Sequence, residues 1–209
     1  MKRKAVAVIG EGITEKYYIE SLKGLSPFII KPQELGKRAS SLKKLKEYIE
    51  KAIKDGFDEV FCLIDMDGKQ EGVKKTDYEN LKRKYHNQVH ENKKKGEKCQ
   101  TVFIETERCT ELWFLYHFTK SAITREFSSY TDLENELHKY RPLYEKSEAY
   151  FKRIANLHKE LTDNRSPYGS LQQAIINSAN SIKSKERDGR TYTYSEMHFL
   201  FEGLGIQNV

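Results

Sequence analysis

Three short apolar runs interrupt a highly polar first half: Ala5 to Ile9, Val60 to Ile64 and, more briefly, Thr101 to Ile104. Continuous apolar runs of this length are the pattern of strands covered on both faces, as in a parallel sheet. Phe28 to Ile30 is a weaker fourth candidate, with Pro27 tolerated at its start. Between the runs the period changes. Leu42, Leu45, Ile49 and Ile53 recur at helical spacing, after Ser40 and Ser41 as cap candidates and before Gly56 as a stop. Thr76-Asp77-Tyr78-Glu79 has the form of a capping box, with Tyr78, Leu81, Tyr85 and Val89 as the apolar stripe behind it. Strands alternating with helices predict an α/β layer: a mostly parallel sheet, flanked by helices and joined by right-handed crossovers.

Beyond Thr110 the pattern becomes helical throughout. Leu112 to Phe118 is apolar nearly all round and reads as a buried helix. Thr131-Asp132-Leu133-Glu134 is a second capping box. Tyr150, Ile154, Leu157 and Leu161 make one stripe, and Leu171, Ala174, Ser178 and Ile182 a weaker one. Thr193-Tyr194-Ser195-Glu196 reads as the opening of a short last helix ending near Gly203. The expected organisation is an α/β domain over 1–120 and a helical extension over 121–209 packed on it.

Charge adds a class of partner. The 209 residues carry 37 Lys and Arg against 31 Asp and Glu, a net +6, and the sequence pI is about 9.0. A basic chain attracts polyanions over long range, so nucleic acid, DNA or RNA, is the natural partner, against the plainer reading of a Lys-rich soluble surface. The runs Lys37-Arg38, Lys43-Lys44-Lys46 and Lys93 to Lys95 fit a solvated face, with phosphate contact by some of them as the alternative, while Lys152 and Arg153 are candidates for nucleic-acid contact on the later helices. Cys62, Cys99 and Cys109 have no CxxC spacing and suggest neither a disulfide framework nor a zinc site. No stretch approaches the ~20 apolar residues of a membrane span, and the apolar run after the basic start is too short for a signal peptide, so a cytoplasmic protein is expected.

The candidate chemistry is acidic. Glu11 stands at the carboxyl end of the first apolar run, and Asp65 and Asp67 at the end of a later one. In open parallel sheets ligands bind beyond the carboxyl ends of the strands. Residues two apart in an extended segment share a face, so Asp65 and Asp67 point the same way. If their strand neighbours that of Glu11, three carboxylates converge, and a hard divalent cation, Mg²⁺ or Mn²⁺, relieves their repulsion. Gly10 and Gly12 flank Glu11 and let the backbone turn sharply. A dinucleotide loop is excluded, because Glu15 occupies its third glycine position and would repel a pyrophosphate. Each acid also has a plainer reading. Asp is a common turn former, and Glu15 and Glu111 suit the first turn of a helix. Trp113 and His117, one turn apart, read as core packing with a hydrogen-bonded imidazole.

These residues carry a resemblance. Val8-Ile9-Gly10-Glu11-Gly12-Ile13-Thr14-Glu15 resembles the first motif of Toprim domains, in the EGxTE form of OLD-like and RloB-like proteins, and Asp65-Met66-Asp67 resembles their DxD. Glu111 to Phe118 is similar to the ELW helix signature of RloB-like proteins, with Thr110 a small departure before it, and Tyr194 to Leu204 resembles their closing segment. The resemblance implies a Toprim-like fold and a Mg²⁺-dependent nuclease from a bacterial anti-phage or restriction-associated locus, with a partner protein of that locus. It further implies metal ligation by Glu11, Asp65 and Asp67, with Glu15 as another ligand and Glu107 and Glu111 as candidates for a second metal. Glu11 is alternatively a general acid or base. Two other functions compete: a non-catalytic module binding nucleic acid or a partner, and a haloacid-dehalogenase-like phosphatase. The latter is suggested by Asp65-Met66-Asp67-Gly68, but Lys69 stands where that motif has Thr.

Overall fold

The structure is a computed structural model, and it describes residues 3–36, 42–92, 96–163 and 168–206. Five strands form one sheet in the order β2-β1-β3-β5-β4, from β1 (Ala5–Gly10), β2 (Ile29–Glu34), β3 (Glu59–Asp65), β4 (Gln88–Asn92) and β5 (Glu97–Thr106). β1 pairs in parallel with β2 and with β3, and β4 pairs antiparallel with β5, so the expected α/β architecture with a mostly parallel sheet is present. By internal contacts the chain divides into two compact units, Met1–Ile64 with Gly68–Ile104, and Asp65–Asp67 with Glu105–Val209. The division runs through β5, upstream of the 120/121 boundary that the change of period suggests.

In the first unit the apolar runs become the inner strands. Val6 to Ile9 and Val60 to Ile64 are buried, each fully covered aliphatic side chain contributing about 1.5–3 kcal/mol. The weak fourth run is displaced along the chain: β2 extends through Pro32, which an edge strand accommodates because one row of its N–H groups has no ladder partner. Three helices complete this unit, α1 (Ile13–Leu22), α2 (Leu42–Asp55) and α3 (Gly72–Tyr85). α2 buries Leu45, Ile49 and Ala52, leaves Lys43, Lys46, Lys51 and Lys54 exposed, and turns the half-buried Lys44 onto the Leu35 carbonyl. Its cap candidates Ser40 and Ser41, with Lys37, Arg38 and Lys93 to Lys95, lie outside the described residues.

Two expectations about α3 are corrected. The helix starts after Glu71, so Thr76 lies inside it and its capping box caps nothing. It ends at Tyr85, and Asn87 takes φ 57 to turn the chain. Val89 therefore lies not on the helical stripe but in β4, where it is exposed.

The second unit is built round α4 (Glu111–Tyr116), every residue of which is buried. The Trp113 ring lies 5.1 Å from Phe201, and Asn177 Nδ2 donates to the carbonyls of Tyr116 and Thr119 at 3.0 and 2.7 Å, closing the helix end. The surrounding helices are α5 (Tyr130–His138), α6 (Glu148–Ile154), α7 (Leu157–Thr162), α8 (Leu171–Asp188) and α9 (Met197–Gly203). α5 starts earlier than its capping box suggests, because Ser129 is the N-cap, accepting from the Asp132 N–H. The stripe from Tyr150 to Leu161 is two helices, not one, broken where Ala155 takes φ 59 and Asn156 caps α7. Residues 193–196 do not open the last helix. Thr193 takes φ 52 and Ser195 bridges Thr106 antiparallel, with the Glu107 N–H donating to Tyr194 O at 2.9 Å and the Glu196 N–H to Glu105 O at 2.8 Å. α9 begins only at Met197.

Candidate functional site

The acidic residues divide between the two units. In the first, β1 ends at Gly10 and α1 begins at Ile13, so Glu11 sits in the turn between them. Its Oε1 receives the Lys69 ammonium at 2.8 Å, and both side chains are largely buried. In the sequence Lys69 stands out only as a departure from a phosphatase motif. Glu15 is buried, and its Oε2 accepts the Gly12 N–H at 2.8 Å, satisfying a donor that the helix start leaves open. Its Oε1 is buried without a hydrogen-bond partner. Gly10 makes this seat, since a Cβ there would meet the Cβ of Glu15 at 2.3 Å. Close approach of the backbone to Glu15, rather than a positive φ, is what requires glycine at this position.

In the second unit Asp65 and Asp67 meet the segment that follows β5. Met66 N–H donates to Thr106 O at 2.9 Å, which ties the two stretches together. Asp65 Oδ1 accepts from the Thr110 N–H at 3.0 Å and from its hydroxyl at 3.2 Å. Asp67 faces Arg108, at 3.2 Å, and remains largely exposed. Arg108 itself takes φ 64, the left-handed region that L side chains rarely occupy, and such outliers cluster at functional sites. No sequence signal marks this strain; the sequence shows only that an Arg follows the candidate ligand Glu107.

Glu107 is half-buried, and burial pushes its carboxyl up to about 7; Arg108 and Lys185 pull the other way while Asp67 adds to the rise. Glu111 is fully buried, with Tyr144 Oη donating to its Oε1 at 2.8 Å and Lys146 Nζ at 3.1 Å from the same oxygen. Between Asp65 and Glu111 lies Cys109, whose thiol is held far above its ordinary range by burial and by both carboxylates. A thiol so placed is no nucleophile. His117 is buried, with Nδ1 at 3.0 Å from Trp113 O and its ring edge-on to Trp113, and burial lowers it to about 3. That is the neutral core imidazole expected of it.

The structure thus holds Asp67 on Arg108 and Asp65 on Thr110, while Glu111 is engaged by Tyr144 and Lys146. Among the described residues, no three or more His, Cys, Asp or Glu side chains are gathered as a metal ion would need. Of the expected nucleic-acid contacts, Lys152 is ion-paired with Glu148 at 2.8 Å and the Arg153 guanidinium lies over the Tyr150 ring at 5.5 Å. No helix among the described residues is long and apolar enough to cross a membrane.

The family model of RloB-like proteins matches residues 6–204, from the first residues of β1 through the end of α9. The chain belongs to the RloB-like family. The match takes in Glu11, Glu15, Asp65, Asp67, Glu107 and Glu111 together, so the segments that resemble RloB-like motifs belong to one continuous family match. No curated protein and no solved structure matches this RloB-like chain.

Proposed function

We propose that this RloB-like protein is a divalent-metal-dependent hydrolase of nucleic-acid phosphodiesters, DNA or RNA, serving a bacterial anti-phage or restriction-associated locus. The observation that carries the reading is the run of carboxylates at strand exits. β1 leads directly into Glu11, and β3, its parallel neighbour, ends on Asp65 with Asp67 two residues on. The donors are all carboxylate oxygens, the set that suits Mg²⁺ or Mn²⁺ and not a softer metal. The buried, partnerless Glu15 Oε1 is an oxygen that a cation or a polarised water would satisfy.

The ligands this reading would assign are, in the first unit, Glu11 and Glu15 and, in the second, Asp65 and Asp67, with Glu107 for a further ion. Glu111 is left out, because Tyr144 and Lys146 already engage it in the core. A bound divalent cation would supply activation of water and stabilisation of charge on the phosphoryl oxygens. The protein's own groups have separate tasks. Thr110 orients Asp65 through two hydrogen bonds. In this reading Lys69, now paired with Glu11, and Arg108, now paired with Asp67, would each be a cation available to phosphate.

The test is cleavage of duplex DNA, single-stranded DNA and structured RNA with Mg²⁺ or Mn²⁺, comparing wild type with Asp65→Ala and Glu11→Gln. Cation-dependent cleavage lost by at least 100-fold in Asp65→Ala supports the reading. No cleavage of any substrate, or cleavage unchanged in Asp65→Ala, overturns it. A second reading, a non-catalytic module for nucleic acid or a partner protein, draws on the carboxylates being engaged by Lys69, Arg108 and Thr110 with no assembled metal cluster among the described residues. It requires a melting temperature unmoved by Mn²⁺.

A further inference from the structure

The positive charge of this chain is not shared evenly. The first unit, residues 1–64 and 68–104, holds 23 Lys and Arg against 14 Asp and Glu, whereas the second holds 14 against 17. All of the excess that would draw a polyanion therefore resides in the first unit, whereas the sequence's candidates Lys152 and Arg153 belong to the second.

Within that unit one groove concentrates the charge. It is lined by Lys31 and Gln33 of the edge strand β2, by Lys51, Lys54 and Asp55 at the end of α2, and by Phe57 just before β3. Lys31, Lys51 and Lys54 are exposed, and no ion pair neutralises them among the described residues; Lys31 only rests over the Phe57 ring at 5.5 Å. Elsewhere in the same unit lysines find acids: Lys4 with Glu59, Lys16 with Glu34, Lys69 with Glu11. The dipole of α2 accounts for a cation at Lys54, in its last turn, but not for Lys31, which comes from the sheet. Three like charges converging from two elements, with a single carboxylate among them, repel one another unless an anion lies between. The groove is open and borders an edge strand, so an extended polyanion can pass along it.

We propose that this groove is a docking track for the sugar-phosphate backbone of nucleic acid, with Lys31, Lys51 and Lys54 each contacting a phosphate. The proposal rests on the reading that the substrate is nucleic acid, and adds where its backbone is held. It lies at the start of the strands: Ala5 opens β1, and Phe57 shortly precedes β3. Lysines serve here as point charges without bidentate geometry, so the contact is independent of base sequence.

The test measures binding of a labelled duplex and of a labelled single-stranded RNA against salt, in EDTA, to the full chain. Neutralising Lys31, Lys51 and Lys54 to Ala together should lower the slope of log affinity against log salt by about 3 for duplex and about 2 for single strand, equally for unrelated sequences. The triple Lys→Arg variant should keep the wild-type slope, and Lys152→Ala with Arg153→Ala should leave it unchanged. A wild-type slope in the triple alanine variant overturns the proposal. So do loss of slope in the arginine variant, transfer of the effect to Lys152 and Arg153, and a groove-dependent affinity for anionic lipid vesicles but not for nucleic acid. Cleavage by the wild type with Mn²⁺ separates the two readings. Slope lost in the triple variant without any wild-type cleavage sustains the groove and removes the hydrolase; cleavage with the slope retained does the reverse.

Discussion

Glu111 offers a clean test of whether a carboxylate in this chain is a core anchor or a metal ligand. It is fully buried, accepts from the Tyr144 hydroxyl at 2.8 Å and faces the Lys146 ammonium at 3.1 Å. Glu111→Ala removes an acceptor from both groups and leaves a void at the start of α4. Removing one member of a buried ion pair costs about 3–5 kcal/mol, and the partial exposure of Lys146, which lets water reach its ammonium, brings the expected loss to about 3 kcal/mol. For a chain of this size that is a fall of roughly 6–12 °C in melting temperature. Glu111→Gln keeps an acceptor for Tyr144 and gives up the charge, so about half the loss, ~1.5 kcal/mol, is expected. The cycle with Tyr144→Phe isolates their shared bond, which should couple by about 1–2 kcal/mol. Urea and thermal unfolding of five proteins (wild type, Glu111→Ala, Glu111→Gln, Tyr144→Phe and the double variant Glu111→Ala/Tyr144→Phe), each with and without Mn²⁺, give all of these numbers. A Glu111→Ala protein that melts with the wild type, yet loses a Mn²⁺-induced rise in melting temperature that the wild type shows, would refute the anchor and restore the ligand.

Gly10→Ala drives a Cβ to within 2.3 Å of the Glu15 Cβ and should destabilise by about 1–3 kcal/mol, whereas Gly12→Ala, 3.5 Å from Glu15 Oε2, should cost clearly less; equal stability losses would dismiss the packing argument. The Glu11–Lys69 pair, largely buried at 2.8 Å, should show a coupling of about 1–2 kcal/mol in a cycle of Glu11→Gln and Lys69→Met, little reduced by 1 M salt, and an absent coupling would mean the pair is not formed. Glu107 is raised from 4.5 to about 7, so the folded protein holds a proton there that the unfolded chain releases. Its favourable contribution is complete below pH ~4.5 and is lost as pH rises through about 7; Glu107→Gln should flatten that decline, and parallel stability profiles for the two proteins would contradict it.

Much of the fold was legible because burial on both faces leaves its mark directly on composition. Val6 to Ile9 and Val60 to Ile64 are inner strands, and inner strands read as unbroken apolar runs. The edges were not. β2 contains Lys31, Pro32 and Gln33, and β4 is Gln88 to Asn92, segments whose side chains meet solvent and so carry no apolar signal. Helix starts failed for a different reason. Thr76 and Thr131 present the right cap chemistry, but cap motifs also occur by chance in charged helices, and Glu71 and Ser129 take the position instead. For the candidate site, Glu11, Asp65 and Asp67 were legible as acids at strand exits. Their partners Lys69, Arg108 and Thr110 were not, since a counter-charge is chosen by three-dimensional proximity and has no spacing rule. Glu15 and Glu111 show the converse: a motif named them, and geometry gives each a structural employment, on the Gly12 N–H and on Tyr144.

Those partners bear on how the proposed hydrolase would work. A carboxylate left bare near others carries a heavy electrostatic penalty, and this chain meets it with its own groups: Lys69 on Glu11, Arg108 on Asp67, the Thr110 N–H and hydroxyl on Asp65. In the proposed reading, then, the carboxylates that would hold a divalent ion are already engaged, Glu11 by Lys69 and Asp67 by Arg108, and an added ion would compete with these pairs, which would lower its apparent affinity. Lys69 and Arg108 would be open to phosphate only to the extent that those pairs are given up. Nucleic acid held by charge elsewhere on the first unit, along Lys31, Lys51 and Lys54, would need no metal at all. Binding and chemistry should then respond to different variables, salt for the one and divalent ion for the other, and that separation is what makes each open to test without the other.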